Sequence, residues 1–140
     1  KWSRDVSNRV FAASGSTAAF HTGSHHLDRE DRITDYQKIN TYHVSLVADF
    51  ARKLKEIPDG DGNLLDHTLL LYGSGMGNSN VHAHKRVPFI LVGHASGAIK
   101  GNLHVRCKEE TPQANGLLGV LHKLGVEADS IGDSTEPIAI

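Results

Sequence analysis

The sequence has few of the features that assign a chain to a class at once. Its single cysteine, Cys107, excludes an intrachain disulfide and a cysteine-based zinc cluster. Its 15 basic and 16 acidic residues nearly cancel, so no overall electrostatic field favours nucleic acid or an anionic membrane surface. No apolar run approaches the roughly 18–20 residues that a membrane-spanning helix needs. We therefore expect neither a nucleic-acid partner nor a membrane span.

The length of 140 residues is that of one ordinary domain. We predict a single domain over 1–140, with an irregular lead-in at 1–20, a core at 21–126 and a tail at 127–140. The first residue is Lys rather than Met, and we expect the chain to be a piece of a longer protein. Cys107 lies in a strand-like segment and is expected to be a buried thiol.

One helix is predicted from its apolar period. Thr34 and Gln37 fit a capping box, which places the start of the helix near Asp35. Pro58 ends it, because proline cannot continue a helix. Apolar positions recur at steps of three and four residues and form one stripe: Tyr36, Ile39, His43, Val47, Phe50, Leu54 and Ile57. Within this stripe His43 is expected to be a core histidine bonded to a backbone carbonyl.

The second half of the chain contains continuous apolar runs that are typical of strands. These runs predict strands at about 67–72 and 87–92, each covered on both faces. Residues 103–107 alternate apolar and polar side chains, which predicts a half-exposed edge strand. Thr111–Pro112 should cap a second helix that runs to about Leu124. Helices alternating with buried strands predict an α/β fold with a mainly parallel sheet flanked by helices.

Ten histidines are the one unusual feature of the composition. His21 and His25 are four residues apart in HTGSHH, close enough for both imidazoles to reach one ion if the segment turns. His82 and His84 share a face if their segment is extended. We predict that these four side chains bind a divalent metal ion, with zinc as the first choice and iron or manganese as alternatives. The alternative interpretation of either cluster is an exposed polar loop.

Several polar residues near these histidines are predicted to shape a pocket. They are Ser24, His26, Ser74 and Asn80. Loops beyond the carboxyl ends of parallel strands form the sites of open α/β sheets, and the two loops after the predicted strands both contain histidine. Asp28, Glu30 and Asp31 follow the first cluster and could orient its imidazoles. A nucleophilic Ser74 is a minor rival hypothesis, because Tyr72 and Met76 are bulky for a nucleophile elbow.

Four segments in order carry a resemblance to a known family: HTGSHH, KLKEIPDGDGNLLDHTLLLYGSGM, NVHAHKRVPFILVG and LLGVLHKLGV. Across about residues 20–126 the chain resembles the HXXSHH-motif family of uncharacterised bacterial proteins. That family is similar to the alkaline phosphatase and sulfatase superfamily. The resemblance implies the C-terminal portion of an alkaline-phosphatase-like α/β/α sandwich and a periplasmic or extracytoplasmic location.

The resemblance also implies a function. His21 and His25 resemble a metal-binding pair of the superfamily, and His82 or His84 resembles a later histidine ligand. The chain would then be a metal-binding segment of a phosphatase- or sulfatase-like hydrolase that acts on small phosphate or sulfate esters. Gly75 and Met76 replace an Asp-His pair of ligands, so one metal would be missing.

The superfamily's nucleophile lies in an N-terminal part outside this chain, which leaves open whether the protein is an enzyme. The alternative is a non-catalytic extracytoplasmic binding or structural protein with a histidine metal site. Because a sheet of two or three strands is small, we expect either a homo-oligomer or association with the missing N-terminal half.

Overall fold

A computed structural model describes residues 6–140. In chain order the elements are a 3₁₀ turn at Ala12–Ser14, α1 (Phe20–Ser24), α2 (Glu30–Glu56), β1 (Pro58–Asp59), β2 (Gly62–Asn63), α3 (Leu64–His67), β3 (Leu70–Gly73), β4 (Phe89–Val92) and α4 (Gln113–Lys123). Within this described part, no helix combines the length and the apolar character needed to cross a membrane.

The chain groups into two compact units. The first unit contains the described residues up to Phe50 together with Met76–Arg86, and the second contains Ala51–Gly75 and Val87–Ile140. The four predicted metal ligands all belong to the first unit. The prediction of a single domain over 1–140 stays a prediction.

Helix α2 follows the predicted apolar stripe but begins earlier than predicted, at Glu30 rather than near Asp35. Glu30 and Asp31 occupy its first turn, where negative side chains are stabilised by the unpaired amides of a helix N-terminus. The stripe is unevenly covered: Ile39 is fully buried, whereas the side chain of Phe50 is 49% exposed. The period therefore identified the helix but not its start.

The lead-in of the first unit is more ordered than predicted. Its first five residues lie outside the described part of the chain. In the remainder, Phe11 is buried and an isolated antiparallel bridge joins Val10 to Ala19. The hydroxyl of buried Ser16 donates a hydrogen bond to Oδ2 of Asp35 on α2 at 2.6 Å. These contacts fold the segment onto the helix without any periodic pattern in its sequence.

The sheets of the second unit correct the predicted fold class. Strands β3 and β4 are near their predicted places, but they pair antiparallel, with Leu70 opposite Val92 and Gly73 opposite Phe89. The only other pair of strands in residues 6–140 is β1 with β2, also antiparallel. The prediction of a mainly parallel sheet in an alkaline-phosphatase-like α/β/α sandwich is therefore wrong for this chain.

The physical reason lies in the connection and in the faces of the strands. A parallel pair needs a crossover, usually helical, and residues 74–88 between β3 and β4 contain no helix. The predicted burial on both faces is also wrong, since Leu71 is 51% exposed and Ile90 is 45% exposed. A short apolar run is compatible with both parallel and antiparallel pairing, so the sequence pattern could not distinguish the two.

The predicted edge strand at 103–107 is absent from the structure. Residues 101–110 are all exposed and have no strand hydrogen bonding. Cys107 is exposed, so the expectation of a buried thiol is also wrong. Alternation of side chains predicts a strand only where a neighbouring strand pairs with it, and no strand among residues 6–140 pairs with this segment.

The second predicted helix is confirmed as α4, although Pro112 rather than Thr111 occupies the N-cap position. Asn115 on this helix is buried, and its side chain exchanges two hydrogen bonds with Thr135. The amide of Ile138 donates to the Asn115 carbonyl at 3.0 Å. The tail of the chain is thereby fixed along α4.

Candidate metal centre

His21 and His25 lie one helical turn apart at α1. The helix spans Phe20–Ser24, and His25 is its C-cap. The Ser24 hydroxyl donates to the carbonyl of His21 at 2.7 Å, which occupies that hydroxyl within the turn. The two imidazole rings meet edge to face with centroids 4.9 Å apart. The spacing of the two histidines therefore does bring their rings together.

His82 comes from a closed loop in the same unit. Asn78 and Ala83 form an isolated antiparallel bridge, and the amide of Gly77 donates to the Ala83 carbonyl at 3.0 Å. His82 has a φ of 53°, the left-handed region that side chains other than glycine seldom adopt. Such a conformation persists only where the surroundings impose it, and it is more frequent at functional sites.

Three hydrogen bonds attach this loop to the segment that follows α1. The Ser79 hydroxyl donates to the carbonyl of Ser24 at 2.9 Å, and the amide of Leu27 donates to Oδ1 of Asn80 at 2.8 Å. Nδ1 of His25 lies 3.1 Å from the backbone oxygen of Asn80. A carbonyl can only accept, so this contact assigns the ring proton of neutral His25 to Nδ1 and leaves Nε2 as its metal-binding atom.

The same attachment places His82 beside His25, with ring centroids 4.8 Å apart and planes at 83°. Two imidazoles on one tetrahedral zinc ion, with Zn–N bonds of about 2.0–2.1 Å, have centroids about 5 Å apart. Both observed separations fit that value. The ring of His25 thus contacts the rings of both His21 and His82.

These three histidines do not form a closed coordination shell. In the described part of the chain, no group of three or more His, Cys, Asp and Glu side chains is gathered tightly enough to hold an ion as it stands. His82 is exposed, and His21 and His25 are half-buried. His84 is exposed in the same loop, and its role as a ligand stays a prediction.

The predicted pocket residues have different surroundings. Ser24 is buried and Asn80 supports His25, as described above. His26 is largely covered, with 13% of its side chain exposed, and its Nδ1 accepts from the amide of Asp28 at 3.2 Å. Ser74 is an exposed residue of the second unit, and its place in a pocket with the others stays a prediction.

The acidic residues after HTGSHH differ in what they contact. Asp31 forms a two-point ion pair with Arg29, whose hydrogen bond holds the pKa of that carboxyl below its ordinary value. Asp28 lies 3.7 Å from Nδ1 of His26 and is 78% exposed. The group that orients His25 is instead the backbone carbonyl of Asn80, which no side-chain pattern in the sequence could have indicated.

Three isolated histidines of the second unit have local contacts. Nδ1 of His67 contacts the Ser96 hydroxyl, Nδ1 of His94 contacts the carbonyl of Ile99, and Nε2 of His122 contacts the carbonyl of Ala128. Each contact joins residues of the same unit and stabilises a turn or a helix end. None of these rings was predicted to be a ligand.

Comparison of the chain with protein-family models, with curated proteins and with solved structures found no match.

Proposed function

We propose that the first unit binds one divalent transition-metal ion through the imidazoles of His21, His25 and His82, with His84 as a fourth ligand. The observation that carries this proposal is the hydrogen bond between Nδ1 of His25 and the carbonyl of Asn80, because metal-bound histidines commonly donate their second nitrogen in this way. The ring separations of 4.9 and 4.8 Å support a shared ion.

The chemistry of the donors favours zinc, with iron and manganese as alternatives. Imidazole nitrogen suits zinc and iron better than magnesium or calcium, which prefer oxygen ligands. Neutral imidazoles also leave the charge of the ion uncompensated, and this charge would attract an anionic group to the exposed side at His82. The suggested resemblance to the HXXSHH-motif family rests on HTGSHH and NVHAHK and therefore points to the same histidines.

The role that best fits the described residues is that of a binding or structural protein with a histidine metal site. Gly75 and Met76 offer no ligand for a second hard cation. A phosphate or sulfate ester hydrolase is the second candidate, and the exposure of His82 favours it because a bound ion would remain open to a small ester. That activity would need a nucleophile supplied by the N-terminal part that the resemblance implies.

Other properties follow from the same resemblance and belong to this proposal. They are a periplasmic or extracytoplasmic location and association either with that N-terminal part or with a second copy of the chain. An ion that joins α1 to the 77–83 loop would also stabilise the first unit, since structural zinc can contribute on the order of 10 kcal/mol to folding.

The test is elemental analysis of the untagged protein after reconstitution with zinc, iron or manganese. We expect close to one equivalent of metal in the wild type and almost none in the double variant His25→Ala, His82→Ala. The variant His104→Ala is the control, because His104 is an exposed histidine of the second unit. Absence of metal from the reconstituted wild type, or equal metal in the double variant, would overturn the proposal.

A further inference from the structure

His43 is a buried titratable group that the metal centre does not use. It lies on α2 with 7% of its surface exposed. Its ring packs edge to face on Phe11 at a centroid distance of 4.5 Å, and also contacts Phe20 at 5.7 Å and Tyr42 at 6.1 Å. The imidazole thus occupies the position of an aromatic core residue, where the lead-in, the start of α1 and α2 meet.

One nitrogen of this ring has nothing to bond to. Nε2 of His43 is buried, and no group in residues 6–140 forms a hydrogen bond with it. The predicted bond from His43 to a backbone carbonyl is therefore not made at Nε2. A buried nitrogen without a partner is tolerated in neutral imidazole, but a proton placed there would be a buried charge without a counterion.

The charge that acts on the ring is also positive. Arg9 in the lead-in lies over the face of Phe11, with its guanidinium carbon 5.0 Å from the ring centroid. From α2 the titratable neighbour is the phenol of Tyr42, and Phe11 and Phe20 face the ring without ionisable groups. Burial first, and the charge of Arg9 second, lower the pKa of His43 below its ordinary value of 6.5.

The neutral state of folded His43 makes the stability of the first unit depend on pH. Because the folded state holds His43 neutral, the unfolded state binds more protons between the lowered pKa and about 6.5. The stabilisation from this packing is complete above about pH 6.5 and falls as the pH drops through that window. Acid therefore favours any conformation in which the ring of His43 reaches water.

The contact between His43 and Phe20 lies next to the candidate metal centre in the chain. Phe20, which packs on His43, is the first residue of α1 and precedes His21. The amide of Phe20 donates to the carbonyl of Arg9 at 2.9 Å, and the amide of His21 donates to the carbonyl of Ser7 at 3.0 Å. Separation of Phe11 and Phe20 from His43 would break the packing that holds both hydrogen bonds in place.

We propose that His43 is an acid-sensitive switch, whose protonation separates the Ser7–Phe20 segment from α2 and loosens the helix that carries His21. The opening is a property of the metal-free protein. Its consequence, release of a bound ion in mildly acidic surroundings, rests on the proposed metal-binding function.

The test is hydrogen exchange of the Phe20 and His21 amides in metal-free protein at about pH 7.5 and about pH 5.5, corrected for intrinsic exchange. We expect protection of both amides to fall on acidification in the wild type by about three- to tenfold, where tenfold is the limit that one histidine with an ordinary pKa of 6.5 can contribute over this range. In His43→Phe, which keeps an aromatic ring but cannot be protonated, protection should change by less than about threefold. The variant His104→Phe should behave as the wild type.

Unchanged protection in the wild type, or an equal loss in His43→Phe, would overturn the switch. If the His43→Phe protein does not fold, the NMR titration of the His43 ring in the wild type decides the question. A pKa below 6.5 that coincides with the loss of protection supports the proposal, and a pKa at or above 6.5 contradicts it. Both measurements use metal-free protein, so they remain informative even if no metal binds.

Discussion

Asn80 contacts the segment after α1 twice: its carbonyl lies 3.1 Å from Nδ1 of His25, and its side-chain oxygen accepts from the amide of Leu27 at 2.8 Å. One residue of the loop thus sets both the ring orientation of His25 and the distance between loop and helix. The side chain can be removed while the carbonyl stays, which separates the two effects.

The variant Asn80→Ala should bind metal about 2–10-fold more weakly than the wild type, because it loses the one hydrogen bond to Leu27 while the carbonyl that orients His25 stays. The loss is expected because the loop would no longer be held against Leu27, so His25 and His82 would sample a wider range of separations. Isothermal titration with zinc measures the affinity. The control is Asn40→Ala, an exposed position on α2, and equal affinities in the two variants would contradict this role of Asn80.

Gly77 allows a close approach that shapes the same loop. A Cβ at this position would overlap the carbonyl oxygen of Lys85 and would lie 2.9 Å from that of Arg86, and both atoms are backbone. We expect Gly77→Ala to be destabilising by about 1–3 kcal/mol, since backbone must move to relieve the overlap.

Gly75 provides the matched control, because a Cβ there would meet nothing within 4 Å. Chemical denaturation of both variants measures the effect on stability. Gly75→Ala should be within about 0.5 kcal/mol of the wild type. A Gly77→Ala protein as stable as the Gly75→Ala protein would show that the loop has another conformation.

Asp35 also makes stability depend on pH. Its contacts stabilise the charged form of the side chain, whereas the surroundings of His43 favour the neutral form. The hydrogen bond from the Ser16 hydroxyl, and then that from Lys38, lower the pKa of this carboxyl below its ordinary value of 3.8. Its contribution to stability is therefore complete above about pH 3.8 and is lost as the pH falls through the lowered pKa. Ser16→Ala should raise that pKa in an NMR titration, whereas Ser45→Ala should leave it unchanged.

The buried amide of Asn115 is expected to be important for the second unit. Replacement by Ala would leave the amide of Thr135 without its 2.8 Å acceptor and would open a cavity beside α4. The expected loss of unfolding free energy is about 2–3 kcal/mol. Thermal unfolding compares this variant with Gln113→Ala, an exposed change on the same helix, and a similar melting temperature for both would refute the estimate.

Helix α2 was predictable because its apolar period is a property of a single segment, and α4 was predictable because its cap at Thr111–Pro112 is also local. Ile39 is buried four residues before buried His43, so its face could be identified from spacing alone. The start at Glu30 was missed because Thr34 and Gln37 imitate a capping box. A capping signal inside a longer helix cannot be distinguished from a true start without the preceding turn.

The direction of the sheet could not be read from the sequence because it depends on pairing. Leu70–Gly73 and Phe89–Val92 are apolar enough for burial on both faces, yet they meet as an antiparallel pair. For the candidate site, the closeness of His21 to His25 follows from a spacing of one helical turn. The approach of His82 depends on a left-handed backbone and on a carbonyl from Asn80, neither of which has a signature in residue type.

The C-terminal tail approaches α4 closely at Gly119. The carbonyl oxygen of Ile138 would overlap a Cβ atom at residue 119. Hydropathy and charge patterns do not predict this fit, because it depends on the absence of a Cβ atom. A saturation library at position 119 should therefore be depleted of every other amino acid, although glycine is among the least favourable residues for the interior of a helix.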